Sequence, residues 1–517
     1  MSLDGSSARR QGIFLSYVYL VANLLVQLIY VPLLLSSIGQ EEYGLYQLVG
    51  SIMSYLATIS GILSSGVGRF YCKYKAEGYQ RGMDDTLAIA RRMYWMISAV
   101  AFFVTIALVP VTRAIYAHSF TELQLNEFSL MMVILAVNLV ISLNNAINNA
   151  VLTANERFVF LKWIQIVTLL LQPVTVLTLL NFVNSSVVVA FVALLMNCAC
   201  IIGQRYYVKR ILGVQFVFRG WNRSLTRGLL SFSGAILLVT LADQIFWKTD
   251  QLIIGYMLGA SSVAVYSVGA SIFMNYMPLG STVASVFLPR ISDLLYGSKD
   301  EHAVSDLFIR VGRISFYICC MVLGLYIAIG NDFISLWVGP QYSDAFAISL
   351  VVMIPMTIDI CQNLGLTILQ VENKYYFRGW VYLSVSVANV FLTVMLLNVL
   401  GLFGAALSTA IAMFVGNGLI MNWYYWRHLH LDIRSFWKSL FPIFLQCFVC
   451  SCFACLFNGA ISQFIMGVSK LIAVGVFYCF AYAVVAFFLT FNDYEKQLSA
   501  SFLSKLKGLL GKIRSHV

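Results

Sequence analysis

Residues 33–52 read LLLSSIGQEEYGLYQLVGSI, and residues 253–272 read IIGYMLGASSVAVYSVGASI. The second segment echoes the first at an offset of about 220 residues, so that Gly39 corresponds to Gly259. Each segment connects two long apolar runs. Such a repeat in an apolar chain indicates two related helical halves, as in many membrane transporters, and predicts a site between them.

The composition of the 517-residue chain is that of a membrane protein. Hydrophobic residues make up 60% of the sequence, charged residues only 11%, and the mean hydropathy is +0.84. Such values exclude an ordinary soluble protein. About fourteen apolar segments approach the twenty residues that a bilayer core requires. We therefore predict an all-α polytopic membrane protein with about 14 transmembrane helices.

The repeat predicts how these helices are grouped. We expect an N-terminal six-helix bundle over residues 1–212 and a C-terminal six-helix bundle over residues 213–425. Because each repeat holds an even number of spans, a pseudo-two-fold axis along the membrane normal should relate the bundles around a central cavity. Residues 426–517 would add two extra transmembrane helices and a basic cytoplasmic tail, in which Leu498–Ile513 forms an amphipathic helix or frays in solvent.

Charge predicts the orientation. Of the 33 Lys and Arg residues, all but Arg113, Lys248 and Lys470 lie in alternate loops that share one side with both termini. Basic loops stay in the cytoplasm, so we predict a multi-pass protein of the bacterial inner membrane with both termini cytoplasmic. The net charge of +11 is then a topology signal and gives no reason to expect nucleic acid as a partner.

Polar side chains recur on one face of four predicted spans. At helical spacing, spans 1, 4, 7 and 10 each carry such a face, and we predict that the four faces enclose the central cavity. Hydrogen bonding between neighbouring helices is the alternative for any single Asn or Gln. The predicted cavity side chains are Asn23, Gln27, Asn138, Ser142, Asn145, Trp247, Gln362 and Asn363.

Four ionisable residues lie inside predicted spans: Asp243, Lys248, Asp250 and Asp359. A charge at the bilayer centre costs about 3 kcal/mol even on a lenient scale, so we predict that these residues couple ions or set the charge of the cavity. Lys248 could instead neutralise one aspartate in a structural ion pair. Asp359 is the sharpest candidate, because no cation lies near it in the sequence.

Motifs of soluble enzymes are missing from the sequence. It holds no G-x-x-x-x-G-K-[ST], H-E-x-x-H or G-x-S-x-G pattern, and its outward loops are short. The cysteine-rich run from Cys447 to Cys455 contains two C-x-x-C spacings, but no His, Asp or Glu accompanies them, and packing is the favoured interpretation. We predict a protein that is not an enzyme and that needs no cofactor and no metal.

Four segments carry a family resemblance: IGQEEYGLY (38–46), TDQLIIGYMLG (249–259), LWVGPQY (336–342) and GLFGAALST (401–409). With these, the chain resembles the bacterial polysaccharide flippases of the MOP (MATE-related) superfamily, in particular the Wzx-like exporters of O-antigen and capsule. The resemblance spans about residues 10–425, and the last two spans correspond to the extra pair that some members carry.

The resemblance implies a transporter that flips undecaprenyl-pyrophosphate-linked oligosaccharide units to the outer leaflet by alternating access. The cavity side chains would then face the glycan, and an H+ or Na+ gradient could drive the cycle. We predict that Arg69 and Arg290 meet the headgroup at the cytoplasmic mouth, with positive-inside anchoring as the commoner role of such residues. Membrane lipids, a polysaccharide polymerase and chain-length proteins are the implied partners.

Three other functions stay open at this stage. The residues inside predicted spans include three aspartates and one lysine, a net negative charge if all are ionised. Such a charge is more typical of a multidrug or cation antiporter of the same superfamily than of a flippase. A lipid II flippase is a related alternative, although such proteins usually place several Arg residues in early spans. A membrane polymerase or glycosyltransferase would need a large outward loop or an acidic catalytic cluster at an interface, and the sequence has neither.

Overall fold

The computed structural model describes residues 5–214, 222–279, 287–298, 300–372 and 374–497. Within these ranges the fold is helical and contains no strand. The prediction of an all-α polytopic protein is therefore confirmed. The predicted tail helix Leu498–Ile513 lies outside the described residues.

Long helices make up most of the fold, and several cross the full width of a bilayer core. In chain order they are α1 (Gly5–Ala76), α2 (Gln80–Tyr116), α3 (Glu122–Ala154), α4 (Phe158–Leu180), α5 (Ser186–Tyr206), α6 (Arg223–Leu258), α7 (Ala260–Tyr276), α8 (Leu288–Ser292), α9 (Glu301–Trp337), α10 (Asp344–Cys361), α11 (Asn363–Val371), α12 (Tyr375–Leu400), α13 (Leu402–Met413), α14 (Met421–His428), α15 (Ile433–Ile461) and α16 (Val468–Val485).

The helices account for the predicted spans. Among the described residues, eleven helical segments are long and apolar enough to cross a membrane. Predicted spans 1 and 2 both lie in α1, which bends at Gly39, and predicted span 10 is divided into α10 and α11. The chain is a multi-pass membrane protein.

The internal repeat has a structural counterpart in two glycine turns. Gly39 and Gly259 have φ values of 83° and 81°, in the left-handed region that favours glycine. The two turns contact each other: Gln40 Nε2 donates to the carbonyl oxygen of Ser261 at 3.0 Å. A Cβ atom on Gly44 would overlap the carbonyl oxygen of Ala260, so this close approach also depends on glycine.

Two compact units divide the chain. The first comprises residues 1–271 and 379–412, and the second comprises residues 272–378 and 413–517. In the first, α1 packs against α3, α4 and α6, and in the second, α9 packs against α10, α15 and α16. These units do not follow the domain limits that we predicted at residues 212 and 425, which stay predictions based on the repeat.

Ion pairs near both ends of α9 attach the last two helices to the second unit. Arg313 donates to Glu495 through Nε at 2.7 Å and through a terminal nitrogen at 2.9 Å, and both side chains are buried. Toward the other end of α9, Lys470 donates to Asp332 at 2.8 Å. The helices predicted as an extra pair are therefore an integral part of this unit.

Candidate functional site

The carboxylate of Asp250 is buried in the first unit and accepts three hydroxyl hydrogen bonds. Thr393 donates to Oδ1 at 2.9 Å, while Tyr266 and Thr409 donate to Oδ2 at 2.8 Å and 2.6 Å. The donors come from α7, α12 and α13, so four helices including α6 meet at this carboxylate. A buried carboxylate that has only neutral donors keeps an uncompensated negative charge when it is ionised.

Further oxygen atoms surround Asp250. Thr393 also contacts Ser408 at 2.6 Å, and Asn389 Nδ2 donates to Thr409 at 3.3 Å. The amide oxygen of Asn389 is buried and has no hydrogen-bond partner among the described residues. A carboxylate, several hydroxyls and a free amide oxygen form the donor set of a hard cation, while protonation of the carboxyl would satisfy the same charge.

The alternative in which Lys248 neutralises an aspartate is not seen at Asp250. The hydrogen bonds of Asp250 go to hydroxyl groups, and none of the ion pairs within the described ranges includes Lys248. Lys248 and Asp243 are both partly buried on α6. The interpretation of Asp250 as half of a structural ion pair is therefore wrong.

Asp359 lies beside a break in predicted span 10. Helix α10 ends at Cys361, Gln362 leaves helical geometry with φ −95° and ψ 4°, and α11 begins at Asn363. Arg378 interacts electrostatically with Asp359, although no cation lies near this aspartate in the sequence. Sequence distance did not predict this interaction. Broken helices that hold charges are typical of transporter sites.

The polar residues at this break connect to α14. Gln362 is buried and donates through Nε2 to Asn422 Oδ1 at 3.0 Å. Asn422 in turn donates to the carbonyl oxygen of Gly418 at 2.6 Å, within the π-helical turn Phe414–Ile420. Asn363, the first residue of α11, is partly buried. Gln362 is thus engaged between helices, and contact with a substrate stays a prediction for both residues.

The predicted polar face of α3 contacts α5. Asn197 Nδ2 donates to Asn138 Oδ1 at 2.6 Å and to Ser142 Oγ at 2.5 Å. Asn145 is buried and donates to Gln204 Oε1 at 2.7 Å. These bonds match the alternative of hydrogen bonding between helices. A role in facing the glycan stays a prediction for the three α3 residues.

The remaining predicted residues lie on the helices where the sequence placed them. Asn23 and Gln27 are partly buried on α1, and Trp247 is partly buried on α6, edge-on to the ring of Phe246. Arg69 and Arg290 are exposed. The central cavity itself, and the meeting of these residues around it, stay predictions.

Sequence reasoning missed a pair of carboxyl groups, Glu42 on α1 and Glu127 on α3. The carboxyl groups of Glu42 and Glu127 lie close enough to influence each other's ionisation. Glu42 also accepts from the backbone N–H of Ser186 at 3.0 Å, and Glu127 accepts from Ser185 Oγ at 2.9 Å. No spacing in the sequence connects these residues, because Glu42 lies after the bend of α1, Glu127 near the start of α3, and Ser185 and Ser186 at the start of α5.

An apolar groove of about 1110 Å³ runs along α15 in the second unit, with α9 and α10 as its other walls. It extends from Trp437 to Leu456, about 29 Å of helix and close to the ~30 Å hydrocarbon core of a bilayer. Phe444 and Phe448 line it and are more than half exposed. The cysteine-rich run contributes free thiols to the wall, Cys447 among them, as the packing interpretation expects.

Comparison with known proteins identifies a family and related membrane proteins. A family model described as "Polysaccharide biosynthesis protein" matches residues 9–295. The uncharacterized membrane protein EpsK of Bacillus subtilis (strain 168) is 23% identical over 495 residues, 92% of this chain and 94% of EpsK. A putative O-antigen transporter of Shigella flexneri is 20% identical over 395 residues, 75% of this chain and 91% of that protein.

Solved structures share the fold. The lipid II flippase MurJ in an inward closed conformation superposes with a TM-score of 0.70 at 12% identity, covering 92% of this chain and 97% of MurJ. An inward-facing multidrug resistance MATE family transporter of the MOP superfamily superposes with a TM-score of 0.66 at 15% identity, covering 80% of this chain and 96% of the transporter. At these identities the likeness concerns the fold alone.

Proposed function

The chain belongs to the polysaccharide biosynthesis protein family of membrane transporters, and from this premise we propose that it flips undecaprenyl-pyrophosphate-linked oligosaccharide units from the cytoplasmic to the outer leaflet. A lipid-linked glycan has a long apolar tail and a hydrated head. The tail can stay in the bilayer while the head crosses a polar path that spares it full desolvation.

The apolar groove along α15 is the observation that carries the proposal. Its length of about 29 Å matches the bilayer core, and its wall is nearly continuous hydrocarbon and aromatic surface. A polyprenyl chain fits such a groove, whereas a compact hydrophilic cargo would gain nothing from it. The groove therefore favours a lipid-linked cargo over a compact hydrophilic cargo such as a free cation.

Asp250 is the proposed coupling residue. Its carboxylate, the hydroxyls of Thr393 and Thr409 and the free oxygen of Asn389 supply oxygen ligands for Na+, and the same carboxyl could carry H+. Because the donors come from different helices, loading or release of the ion would change how those helices pack. We propose that this change drives alternating access, with no nucleotide hydrolysis and no enzymatic step.

The proposed location is the bacterial inner membrane, with both termini in the cytoplasm. The asymmetry of Lys and Arg supports this orientation. The substrate would then be loaded from the face on which lipid-linked sugars are assembled. A polysaccharide polymerase and chain-length proteins would use the product on the outer face.

A flipping assay tests the proposal. The purified chain is placed in liposomes with a fluorescent undecaprenyl-pyrophosphate-linked sugar, and outer-leaflet probe is quenched before and after an imposed Na+ or H+ gradient. We expect gradient-dependent transfer that needs the protein. Efflux of a cationic dye without transfer of the lipid-linked sugar would contradict the proposal and favour the antiporter.

Variants of the Asp250 site test the coupling. Asp250→Asn and Thr393→Val should each slow transfer by about tenfold or more, because each removes a charged or hydrogen-bonded partner worth about 1.5–3 kcal/mol. Thr393→Ser is the matched control, since it keeps the hydroxyl, and it should stay close to the wild-type rate. Asp250→Asn protein that flips at the wild-type rate with the same ion dependence would rule out the coupling role.

A further inference from the structure

A second pocket of about 890 Å³ lies in the second unit, where α14 meets the start of α15. Three indole rings line it, from Trp423, Trp426 and Trp437. Trp423 is 51% exposed and Trp426 is 60% exposed. His430 and Arg434 add cationic or hydrogen-bonding groups to the same pocket. Large aromatic surface beside cationic side chains suits a polar ligand with flat apolar faces, such as a sugar.

The pocket is held in place by hydrogen bonds at its base. Trp437 Nε1 donates to Asn422 Oδ1 at 2.9 Å, and the same oxygen accepts from Gln362 at the break between α10 and α11. Asn422 is buried and also donates to the carbonyl oxygen of Gly418. The indole of Trp437 is therefore oriented by contacts inside the protein before any ligand binds.

The charged side chains of the pocket have different partners. Asp432 lines it as well, but its carboxylate caps α15 by accepting from the backbone N–H of Ser435 at 2.9 Å. Hydrogen bonds from Ser435 hold the pKa of Asp432 below its usual range, so the carboxylate stays ionised in that cap. Arg434 is exposed at the pocket and interacts with Asp432 only through charge and the backbone. Its planar guanidinium can grip a phosphate with two hydrogen bonds.

The pocket and the apolar groove share one lining residue, Trp437. One end of this combined surface is aromatic and cationic, and the other is apolar over the width of a bilayer. Charge asymmetry predicts that the aromatic end faces the cytoplasm. The combined surface thus has the polarity of an amphiphile with a sugar-phosphate head and a polyprenyl tail.

We propose that this pocket is a loading site, which holds the sugar-diphosphate head of the lipid-linked oligosaccharide while the tail lies in the groove. Arg434 binds the diphosphate, and the indoles of Trp423 and Trp426 cover the first sugar. The inference rests on the proposed function and adds a head-binding site separate from Arg69 and Arg290. Its hydrogen bond through Asn422 to Gln362 connects the site to the helix break beside Asp359.

Anchoring in the membrane interface is the competing explanation for exposed Trp residues. A Trp residue that acts only as an anchor would contact bulk lipid whether or not the lipid carries a sugar or a diphosphate. Its loss would lower the stability of the protein and leave its selectivity for the head group unchanged. The test therefore compares head groups. The full-length protein in nanodiscs of phosphatidylethanolamine and phosphatidylglycerol is titrated with undecaprenyl-diphosphate N-acetylglucosamine or with undecaprenyl phosphate, and binding is read by native mass spectrometry.

Arg434→Gln should weaken binding of the sugar-diphosphate probe about tenfold, the loss of a charged hydrogen-bonded pair. Trp426→Ala should reduce the preference for the glycosylated probe over undecaprenyl phosphate, with unchanged thermal stability. Lys438→Gln is the matched control, because Lys438 is exposed on the same helix and does not line the pocket. It should bind within about twofold of wild type.

Equal losses in Arg434→Gln and Lys438→Gln, wild-type binding by Arg434→Gln, or displacement of the probe by phosphatidylglycerol would each overturn the loading site. Flipping by the same preparations separates the two proposals. Wild-type protein that binds the probe selectively but never flips it would contradict the proposed function and leave the loading site intact. If the wild-type protein flips the probe and the Arg434→Gln and Trp426→Ala variants bind and flip it equally well, the loading site is contradicted and the proposed function stands.

Discussion

At the scale of single residues, the intramembrane carboxylates differ in their partners. A charge inside the membrane is costly, and for this reason the sequence indicates Asp250 and Asp359 as candidate functional residues. Asp359 ranked first because no cation lies near it in the sequence. The fold gives the two aspartates different partners: Arg378 acts on Asp359, while Asp250 meets hydroxyl groups from three other helices. Thr393 and Thr409 could not be found from sequence, since a Thr inside an apolar helix usually bonds its own backbone.

Gly44 carries the first prediction at this scale. A Cβ atom there would overlap the carbonyl oxygen of Ala260, whereas a Cβ atom on Gly50 would meet nothing within 4 Å. Gly44→Ala should therefore lower the free energy of unfolding by about 1–3 kcal/mol through overpacking. Thermal unfolding of the purified protein in detergent measures the loss.

Gly50→Ala is the control for this prediction, because it lies in the same helix, α1. It should leave stability unchanged or raise it by up to about 1 kcal/mol, through the better helix propensity of alanine. Equal melting temperatures for the two variants would show that the turns around Gly39 and Gly259 do not need this close contact.

At the scale of helices, polar faces have more than one use. The ladder on α3 that predicted a cavity wall hydrogen bonds to α5 through Asn197 and Gln204. Helical periodicity places polar residues on a face but does not say whether water, a ligand or another helix covers that face. The division of predicted span 10 into α10 and α11 could not be predicted from the sequence either. The helix breaks at Gln362, and this residue is neither Gly nor Pro.

The attachment of α15 and α16 to α9 gives a prediction about Glu495. Breaking its buried pair with Arg313 leaves an uncompensated charge, and Glu495→Gln should lower the free energy of unfolding by about 3 kcal/mol or more. Asp332→Asn, at the other end of α9, is the comparison: Asp332 is 34% exposed, and its pair with Lys470 should be worth about 1 kcal/mol or less.

Thermal unfolding in detergent compares the two variants, and the exchange Arg313→Glu with Glu495→Arg should recover part of the loss. If Glu495→Gln melts no earlier than Asp332→Asn, the last two helices are held mainly by apolar packing. The apolar core of this unit, which includes Ile443, Cys447 and Tyr478, would then carry the attachment.

At the scale of the whole molecule, orientation follows from charge and can be tested by reporter fusions. Green fluorescent protein fused after Val517 should fluoresce, and alkaline phosphatase fused after Gln341 should be active, since the first is predicted inside and the second outside. The reciprocal fusions are the controls and should be dark and inactive. Phosphatase activity after Val517 together with fluorescence after Gln341 would mean that the chain is inverted.

The sequence alone determined the membrane class, the helical architecture, the internal repeat and the family. These properties depend on hydrophobicity, on spacing along one chain and on local motifs, all of which can be read without knowing which helices touch. Tertiary structure alone decided the partners: the hydroxyls around Asp250, the cation near Asp359, and the helix that covers the polar face of α3. Each contact joins residues on different helices, and burial, not sequence distance, sets its energy.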